Sequence, residues 1–148
     1  MKDKWHIRWM GLAQHVSTWS KDPSCKIGAV AIDPIFKKTL AMGWNGFPRG
    51  IKDSHARYAD REVKLKLVVH AEMNVIYNAT YTGTSLAGAY LYVWGLPACC
   101  DCAKGIIQVG IKKVFISAEC LNRSTLWYES WEKTKNFFNE AEVEWEVI

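Results

Sequence analysis

Two short groups of residues in this sequence have types and spacings that could do chemistry. His70 and Glu72 lie two residues apart at the start of the apolar run VVHAEMNVIYNAT, and Cys99, Cys100 and Cys102 crowd together further along the chain. Cys99 and Cys102 have the C-x-x-C spacing with which one turn at a helix start presents two thiolates to one metal ion. Taken alone, that pair suits a thioredoxin-like dithiol or a structural zinc site as well as a catalytic metal site.

His70 and Glu72 favour a catalytic metal site. Residues i and i+2 do not face each other on the side of a helix, but first-turn side chains can project past its N-terminal end. We therefore predict that His70, Cys99 and Cys102 bind one zinc ion and leave a fourth position for water, as catalytic zinc sites do. Zinc lowers the pKa of bound water and so generates hydroxide. Glu72, outside the metal shell, would accept and relay the proton.

The remaining cysteines and histidines have simpler interpretations. Cys100 is predicted to be a bystander, because a gap of one residue before Cys102 suits a helix start less well than a gap of two. Cys25 and Cys120 are predicted to be core thiols. The odd number of cysteines, five, argues against a disulfide framework. The other histidines have no partner at a recognisable spacing: His6, His15 and His55.

The composition is that of an ordinary globular domain. The chain has 148 residues, of which 49% are hydrophobic and 23% charged, so we expect one domain spanning 1–148. No apolar stretch approaches the ~20 residues that span a bilayer, and the N-terminal region lacks a continuous apolar run, so we expect a cytoplasmic protein without membrane contact. The formal net charge of +4 is scattered, which suits a small anionic ligand and argues against a nucleic-acid polymer.

The elements that must position the candidate residues follow from periodicity. Apolar residues at three- and four-residue steps predict four helices: one ending near Trp19, then 68–80, one within 95–110 closed by Gly110, and 125–141. Alternation and β-branched or aromatic residues predict five strands: 26–33, 39–44, 89–94, 112–117 and 142–148. Strands separated by helices predict an α/β fold with a partly parallel sheet covered on both faces.

Together, the two motifs match a known signature. Zinc nucleobase deaminases carry H-x-E followed by P-C-x-x-C, with the glutamate outside the metal shell. This chain has HAE at 70–72 and PACCDC at 97–102, so Pro97 stands one residue earlier than in the pattern while the ligand spacing is intact. Over nearly its whole length the chain resembles the deoxycytidylate (dCMP) deaminases of the cytidine deaminase superfamily, including the segments SKDPSCKIGAVAID and GWNGFPRGI.

The resemblance implies a fold and an activity. The fold is the cytidine-deaminase-like three-layer arrangement, a central five-stranded mixed sheet flanked by helices. The activity is zinc-dependent conversion of dCMP to dUMP and ammonia, in which hydroxide attacks C4 and Glu72 shuttles protons. The resemblance also implies a hexamer activated by dCTP and inhibited by dTTP, and it allows Mg²⁺ to accompany a regulatory nucleotide.

The resemblance also carries over further site residues. Asn45 would hold the deoxyribose hydroxyl, Ala71 would offer backbone contacts to the base, and Ser24 and Lys26 match a segment near the phosphate. Three residues in and around the loop at 45–54 are expected to take part in allosteric regulation: Gly43, Gly46 and Arg49. Each has a plainer interpretation too. WNG is an ordinary hairpin-turn sequence, the glycines could serve backbone conformation, and the arginine could lie in a solvated loop.

Other substrates and other classes of protein stay open from the sequence. A 5-substituted dCMP would need much the same pocket, and cytidine, dCTP, guanine and tRNA adenosine are alternatives. Free-cytidine deaminases usually have cysteine before the A-E pair, and tRNA adenosine and guanine deaminases typically carry E-P-C-x-M-C, so a mononucleotide is favoured. Outside these enzymes, the alternatives are a non-catalytic zinc-containing sensor of dCTP or dTTP and a redox dithiol protein.

Overall fold

A mixed five-stranded sheet forms the centre of the fold. The computed structural model of the chain describes residues 3–121 and 125–148. The strands are β1 Gly28–Asp33, β2 Lys38–Trp44, β3 Tyr90–Trp94, β4 Lys113–Ile116 and β5 Glu144–Val147. Their order is β2-β1-β3-β4-β5. β1 pairs antiparallel with β2 and β3, whereas β3 with β4 and β4 with β5 are parallel pairs.

Helices cover both faces of the sheet. They are α1 Lys4–Ser17, α2 His55–Ala59, α3 Arg61–Leu67, α4 Ala71–Tyr81, α5 Cys100–Gln108 and α6 Thr125–Glu140. A single 3₁₀ turn follows β4, at Ala118–Cys120. Over residues 3–121 and 125–148, no helix has both the length and the apolar character needed to cross a membrane.

The alternation of side chains along β1 divides the core into two layers. Val30 and Ile32 point to the face covered by α1, where they pack in a cluster with Val16, Tyr92 and other buried residues. Ala29 and Ala31 point to the opposite face, where the small side chains pack in the larger cluster that includes residues of α4, α5 and α6. The predicted three-layer α/β fold is therefore confirmed.

The predicted elements are also present, with shifted ends. The first helix ends at Ser17 rather than near Trp19, and α4 begins at Ala71 rather than at 68. The helices α2 and α3 were not predicted, because few or none of their residues are buried and they lack an apolar period. Their caps hold them instead: Ser54 accepts from the Arg57 N–H, and Asp60 accepts from the first-turn N–H groups of α3.

Candidate active site

Both sequence motifs lie at helix N-termini. His70 is the N-cap of α4, in an extended conformation (φ −68°, ψ 153°), and its side chain makes no capping hydrogen bond. Cys99 is the N-cap of α5 (φ −74°, ψ 165°), and its Sγ accepts from the Cys102 N–H at 3.4 Å. Helices prefer Ser, Thr, Asp or Asn at this position. Here the positions carry an imidazole and a thiol, whose side chains project beyond the helix ends.

The two helix starts meet in one cluster of potential metal ligands. The ligand atoms of His70, Cys99 and Cys102 all lie within 4.8 Å of one another, the only such group among the described residues. His70 Nδ1 is 3.4 Å from each Sγ. Tetrahedral zinc, with bonds of about 2.3 Å to sulfur and about 2.0 Å to nitrogen, places neighbouring ligands roughly 3.5–3.8 Å apart. The chemistry and spacing of this group therefore suit zinc.

The electrostatics of the cluster favour a bound cation. The hydrogen bond with Cys102 and the nearby His70 imidazole lower the pKa of the Cys99 thiol to about 4, although burial opposes this shift. The same hydrogen bond and burial raise the pKa of the Cys102 thiol. The hydrogen bond with Cys99 raises the pKa of His70. The cluster therefore holds negative charge on sulfur, and metal binding replaces the remaining protons.

Glu72 lies in the first turn of α4 beside this cluster. It is only 3% exposed, and burial raises the pKa of its carboxyl group. None of the ion pairs among the described residues includes Glu72. Its carboxylate is not part of the ligand cluster. A buried carboxyl group outside the ligand set, with a raised pKa, is suited to take up a proton and pass it on.

Trp127 forms part of the site although sequence reasoning did not select it. Its ring centroid lies 6.0 Å from that of His70, and its Nε1 donates to the Pro97 carbonyl at 2.7 Å. In the sequence it belongs to the apolar stripe of α6, where an aromatic residue is indistinguishable from core packing. Only the position of α6 in the fold reveals that it faces the cluster.

Asn45 is buried and cross-links its own loop to the segment 20–27. Its Oδ1 accepts from the Ile27 N–H at 2.9 Å, and its Nδ2 donates to the Cys25 carbonyl at 2.7 Å. Its backbone carbonyl accepts from the Ser20 hydroxyl at 2.8 Å. The structural role is thus observed. The contact with a deoxyribose hydroxyl stays a prediction.

Ser24 and Lys26 are exposed, but their polar groups already have partners. The Ser24 hydroxyl donates to Asp22 Oδ1 at 3.0 Å and accepts from Lys64 Nζ at 2.8 Å. Lys26 Nζ donates to the Ser20 carbonyl. The segment near the predicted phosphate position is therefore held by contacts within the protein.

β2 and the loop that follows it pack against the start of α4. Ala71 is fully buried, and a Cβ added at Gly43 would lie 2.8 Å from its carbonyl oxygen. Gly46 exchanges two backbone hydrogen bonds with Val69, at 3.1 and 2.7 Å, directly before His70. The structure therefore joins two of the predicted allosteric positions to the helix that carries the site.

Arg49 lies on the outer side of α4. Its guanidinium bonds to Asn78 and sits 5.5 Å from the centroid of the Tyr81 ring. It lines a cleft of about 450 Å³ together with Trp44, Phe47 and other residues. None of the lining residues belongs to the ligand cluster.

Of the two cysteines predicted to lie in the core, Cys120 is buried and Cys25 is only half-buried, while the bystander role of Cys100 stays a prediction. Cys120 is buried, and its Sγ accepts from the Gly95 N–H at 3.1 Å. Cys25 is half-buried and packs against the larger core cluster. Cys100 is half-buried and is not part of the ligand group.

The chain is similar to known proteins over most of its length. Residues 3–118 match the model of the cytidine and deoxycytidylate deaminase zinc-binding region. An uncharacterized deaminase from the luxG 3′ region of Aliivibrio fischeri is 35% identical over 144 residues, 97% of this chain and 93% of that protein. Human deoxycytidylate deaminase is 35% identical over 121 residues, 78% of this chain and 66% of that protein. The structure of dCMP deaminase from cyanophage S-TIM5 in complex with dCMP and dUMP has a TM-score of 0.77 and 26% identity, covering 100% and 99% of the two chains.

Proposed function

Because the chain belongs to the cytidine and deoxycytidylate deaminase family, we propose that it hydrolyses dCMP to dUMP and ammonia. The observation that carries the proposal is the meeting of His70, Cys99 and Cys102 at two helix starts beside the buried carboxyl group of Glu72. The choice of dCMP is supported by the cyanophage enzyme, whose structure contains dCMP and dUMP and covers the whole of this chain.

Three side chains would hold the metal ion. They are His70, through Nδ1, and Cys99 and Cys102, through Sγ. Zinc suits this set because it prefers nitrogen and thiolate ligands in tetrahedral geometry. With three protein ligands, the fourth position is open to water, and bound zinc supplies a water of lowered pKa and a Lewis acid. No second group of potential ligands is found in residues 3–121 or 125–148 that would mark a Mg²⁺ site.

Glu72 would be the proton shuttle. It would take one proton from the attacking water and pass it to N3 of the cytosine ring as the C4–O bond forms. It would then carry the remaining proton of the C4 hydroxyl to the amine, which leaves as ammonia as the C4=O bond of dUMP forms. The net reaction consumes one water and releases one ammonia. The raised pKa of the buried carboxyl group suits this work, since both of its protonation states must be reached within one turnover.

The remaining substrate contacts would use groups that the fold bonds only in part or that can exchange their partners. The Asn45 amide uses one N–H and one lone pair in the loop, so a second N–H and a second lone pair can meet the deoxyribose hydroxyl. Ala71 would offer its backbone to the base at the start of α4. Lys26 is exposed and can turn to a phosphate, whereas Ser24 must first exchange its bond with Asp22. Trp127 would form one wall of the pocket.

The decisive experiment is to incubate the purified protein with dCMP and to measure dUMP by chromatography. We expect product in the presence of zinc, and its absence both with and without dCTP would overturn the proposal. A panel of cytidine, dCTP, guanine, tRNA and 5-substituted dCMP then defines the range of substrates. Tight nucleotide binding without product would instead indicate a sensor, and absence of zinc from the purified protein would favour a redox dithiol.

Regulation and assembly are part of the same proposal. We propose a cytoplasmic homohexamer that dCTP activates and dTTP inhibits, with the loop containing Gly46 and Arg49 and the neighbouring Gly43 near the regulatory nucleotide. The molar mass in solution and the rate of dUMP formation with each nucleotide, with and without Mg²⁺, test these points separately.

A further inference from the structure

One face of α6 makes hydrogen bonds to the loop before α5 and to the start of α5, where the two proposed zinc ligands Cys99 and Cys102 lie. The three bonds are Trp127 Nε1 to Pro97 O (2.7 Å), Thr134 Oγ1 to Ala98 O (2.9 Å) and Cys100 N to Ser130 Oγ (3.0 Å). The bonded loop residues flank Cys99 on both sides. The three side chains of α6 follow the spacing i, i+3 and i+7, which places them on a single face of the helix.

The loop needs these partners because its backbone is buried and irregular. Pro97, Ala98 and Cys99 are buried and lie between β3 and α5, so neither sheet nor helix provides partners for all of their polar groups. A buried carbonyl without a partner is costly, so buried backbone groups are almost always paired. Here the side chains of α6 supply the pairing for the carbonyls of Pro97 and Ala98.

The bond to Cys100 satisfies a first-turn N–H of α5 that the N-cap side chain does not bond. The first N–H groups of a helix have no partner within it, and the N-cap side chain normally satisfies one of them. In α5 the N-cap is Cys99, and its Sγ accepts from the N–H of Cys102, not from that of Cys100. Ser130 accepts from the first N–H of the helix, that of Cys100. The helix α6 thus caps α5 from outside.

The Thr134 side chain points to the same role. It is fully buried, and its hydroxyl donates to a carbonyl 36 residues away in sequence. Burying a hydroxyl group in a core costs free energy unless the hydroxyl makes a hydrogen bond there. A threonine in a helix can bond its own i−4 carbonyl, as Thr80 does in α4, but Thr134 bonds Ala98 instead.

Trp127 connects α6 to His70, the third proposed ligand. Besides bonding to Pro97, its ring packs beside the His70 imidazole, with 6.0 Å between centroids. The helix α6 therefore contacts both the segment around Cys99 and His70, the N-cap of α4. Ala98, the residue that stands between Pro97 and Cys99 in this chain but not in the usual motif, is also bonded by α6. The helix binds the carbonyls of both Pro97 and Ala98.

We propose that Trp127, Ser130 and Thr134 are positioning residues of the metal centre, which fix Cys99 and Cys102 relative to His70 and thereby set how tightly zinc is held. The proposal rests on the zinc site of the proposed function, but it does not depend on the substrate. It assigns a functional task to a helix that otherwise serves to cover the sheet.

The test is the rate at which zinc-loaded protein releases zinc to a chromogenic chelator. The variants are Thr134→Val, Ser130→Ala and Trp127→Phe, each of which removes one hydrogen-bonding group and keeps most of the side-chain volume. We expect each to hold zinc roughly 10-fold more weakly than the wild type, the lower end of the range for outer-shell partners of metal ligands. The matched control is Thr80→Val, which removes a hydroxyl–carbonyl bond of the same 2.9 Å length far along α4 and should leave zinc release unchanged.

A second measurement separates positioning from simple loss of stability. Urea unfolding of the zinc-free variants reports how much each change weakens the fold itself. Reduced stability with unchanged zinc release in the folded protein would overturn the proposal. Active wild-type enzyme whose variants all release zinc at the wild-type rate would overturn it as well. Faster zinc release in the variants of a wild type that does not convert dCMP would support positioning and refute the proposed substrate.

Discussion

The ligand cluster and the segment 20–27 use their polar side chains in opposite ways. In the cluster, the His70 side chain makes no capping bond, and its contacts with Cys99 and Cys102 are contacts among the ligand atoms themselves. In the segment, Asp22 accepts from both the N–H and the hydroxyl of Ser24, from the Cys25 N–H and from Lys64. In the cluster, the nitrogen and sulfur atoms that could bind a metal ion are available to it. In the segment, the polar side-chain atoms are used in hydrogen bonds that fix the shape of the loop.

One fold thus supplies both reactivity and rigidity, through helix ends in one region and side-chain hydrogen bonds in the other. A helix N-terminus directs side chains outward, so a residue there can point a polar atom at a ligand while its own carbonyl is bonded within the helix, as those of His70 and Cys99 are. An irregular segment has no such frame and must be fixed by side-chain hydrogen bonds.

Replacing Glu72 by Gln should have the largest effect. The amide fills nearly the same volume but cannot shuttle a proton, so we expect the rate of dUMP formation to fall about 10²–10⁴-fold while zinc stays bound. Initial rates and zinc content of the same preparation measure both. Loss of zinc from this variant would show that Glu72 is a metal ligand and would contradict its assignment as a proton shuttle outside the ligand set.

Replacing Cys102 by Ser should remove the metal, whereas replacing Cys100 by Ser should not. A serine hydroxyl is a poor ligand for zinc beside a thiolate and an imidazole, and zinc sites need their full ligand set. We expect the Cys102→Ser protein to lose zinc on dialysis and the Cys100→Ser protein to retain one zinc per chain by metal analysis. Zinc loss from the second variant would make Cys100 a ligand.

Replacing Asp22 by Asn should lower stability rather than catalysis at the metal. Asp22 is 1% exposed and pairs with Lys64, at 2.8 Å. The neutral amide leaves a partly buried ammonium without its counter-charge, so we expect a loss of about 2–3 kcal/mol in the free energy of unfolding at pH 7. Urea unfolding of zinc-free protein measures it without interference from metal binding. A variant as stable as the wild type would show that the segment is fixed in another way.

The same substitution has a defined pH dependence. Burial by itself raises the pKa of Asp22, but the hydrogen bonds from Lys64, from the N–H groups of Ser24 and Cys25 and from the Ser24 hydroxyl outweigh it and hold the pKa below its ordinary value of 3.8. A pKa lowered by folding contributes stability above the unfolded value, and that contribution is lost as the pH falls through the folded one. The stability gap between wild type and Asp22→Asn should therefore close as the pH drops below the ordinary value. A constant gap would contradict the role of the charge.

Replacing Lys66 by Ala should have the smallest effect. Lys66 lies on α3 two residues from Lys64, but its ion pair with Glu62, at 3.3 Å, joins side chains that are 74% and 82% exposed. Exposed pairs of this kind contribute little, so we expect a change below about 0.5 kcal/mol in the free energy of unfolding. A larger loss would mean that the whole of α3, and not Lys64 alone, supports the segment.

The residues that could be predicted from the sequence are those whose neighbours in the chain decide their position. His70, Cys99 and Cys102 lie at helix starts, and a helix start is visible as the edge of an apolar period next to a loop. The five strands and their layers were predictable for the same reason, because alternation and helical period are local properties.

The supporting contacts were not predictable because they join distant parts of the chain. The Asp22–Lys64 pair spans 42 residues, and the bond of Thr134 to Ala98 spans 36. Nothing in the type or spacing of Thr134 distinguishes it from an ordinary helix residue. The helix α3 escaped prediction because its N-terminus is set by the Asp60 cap and none of its residues is buried. Tertiary position, rather than pattern, gives these residues their roles.

The glycine at position 43 has a consequence for how this protein can vary. A Cβ there would stand 2.6 Å from the backbone nitrogen of Val75 and 2.8 Å from the Ala71 carbonyl, so β2 touches α4 main chain to main chain. No side chain lies between them to absorb a change in size. Substitution by even alanine would push the edge strand away from α4, the helix whose N-cap is His70. A change in sequence that alters the shape of the sheet edge at position 43 would therefore also alter the geometry of the reactive centre.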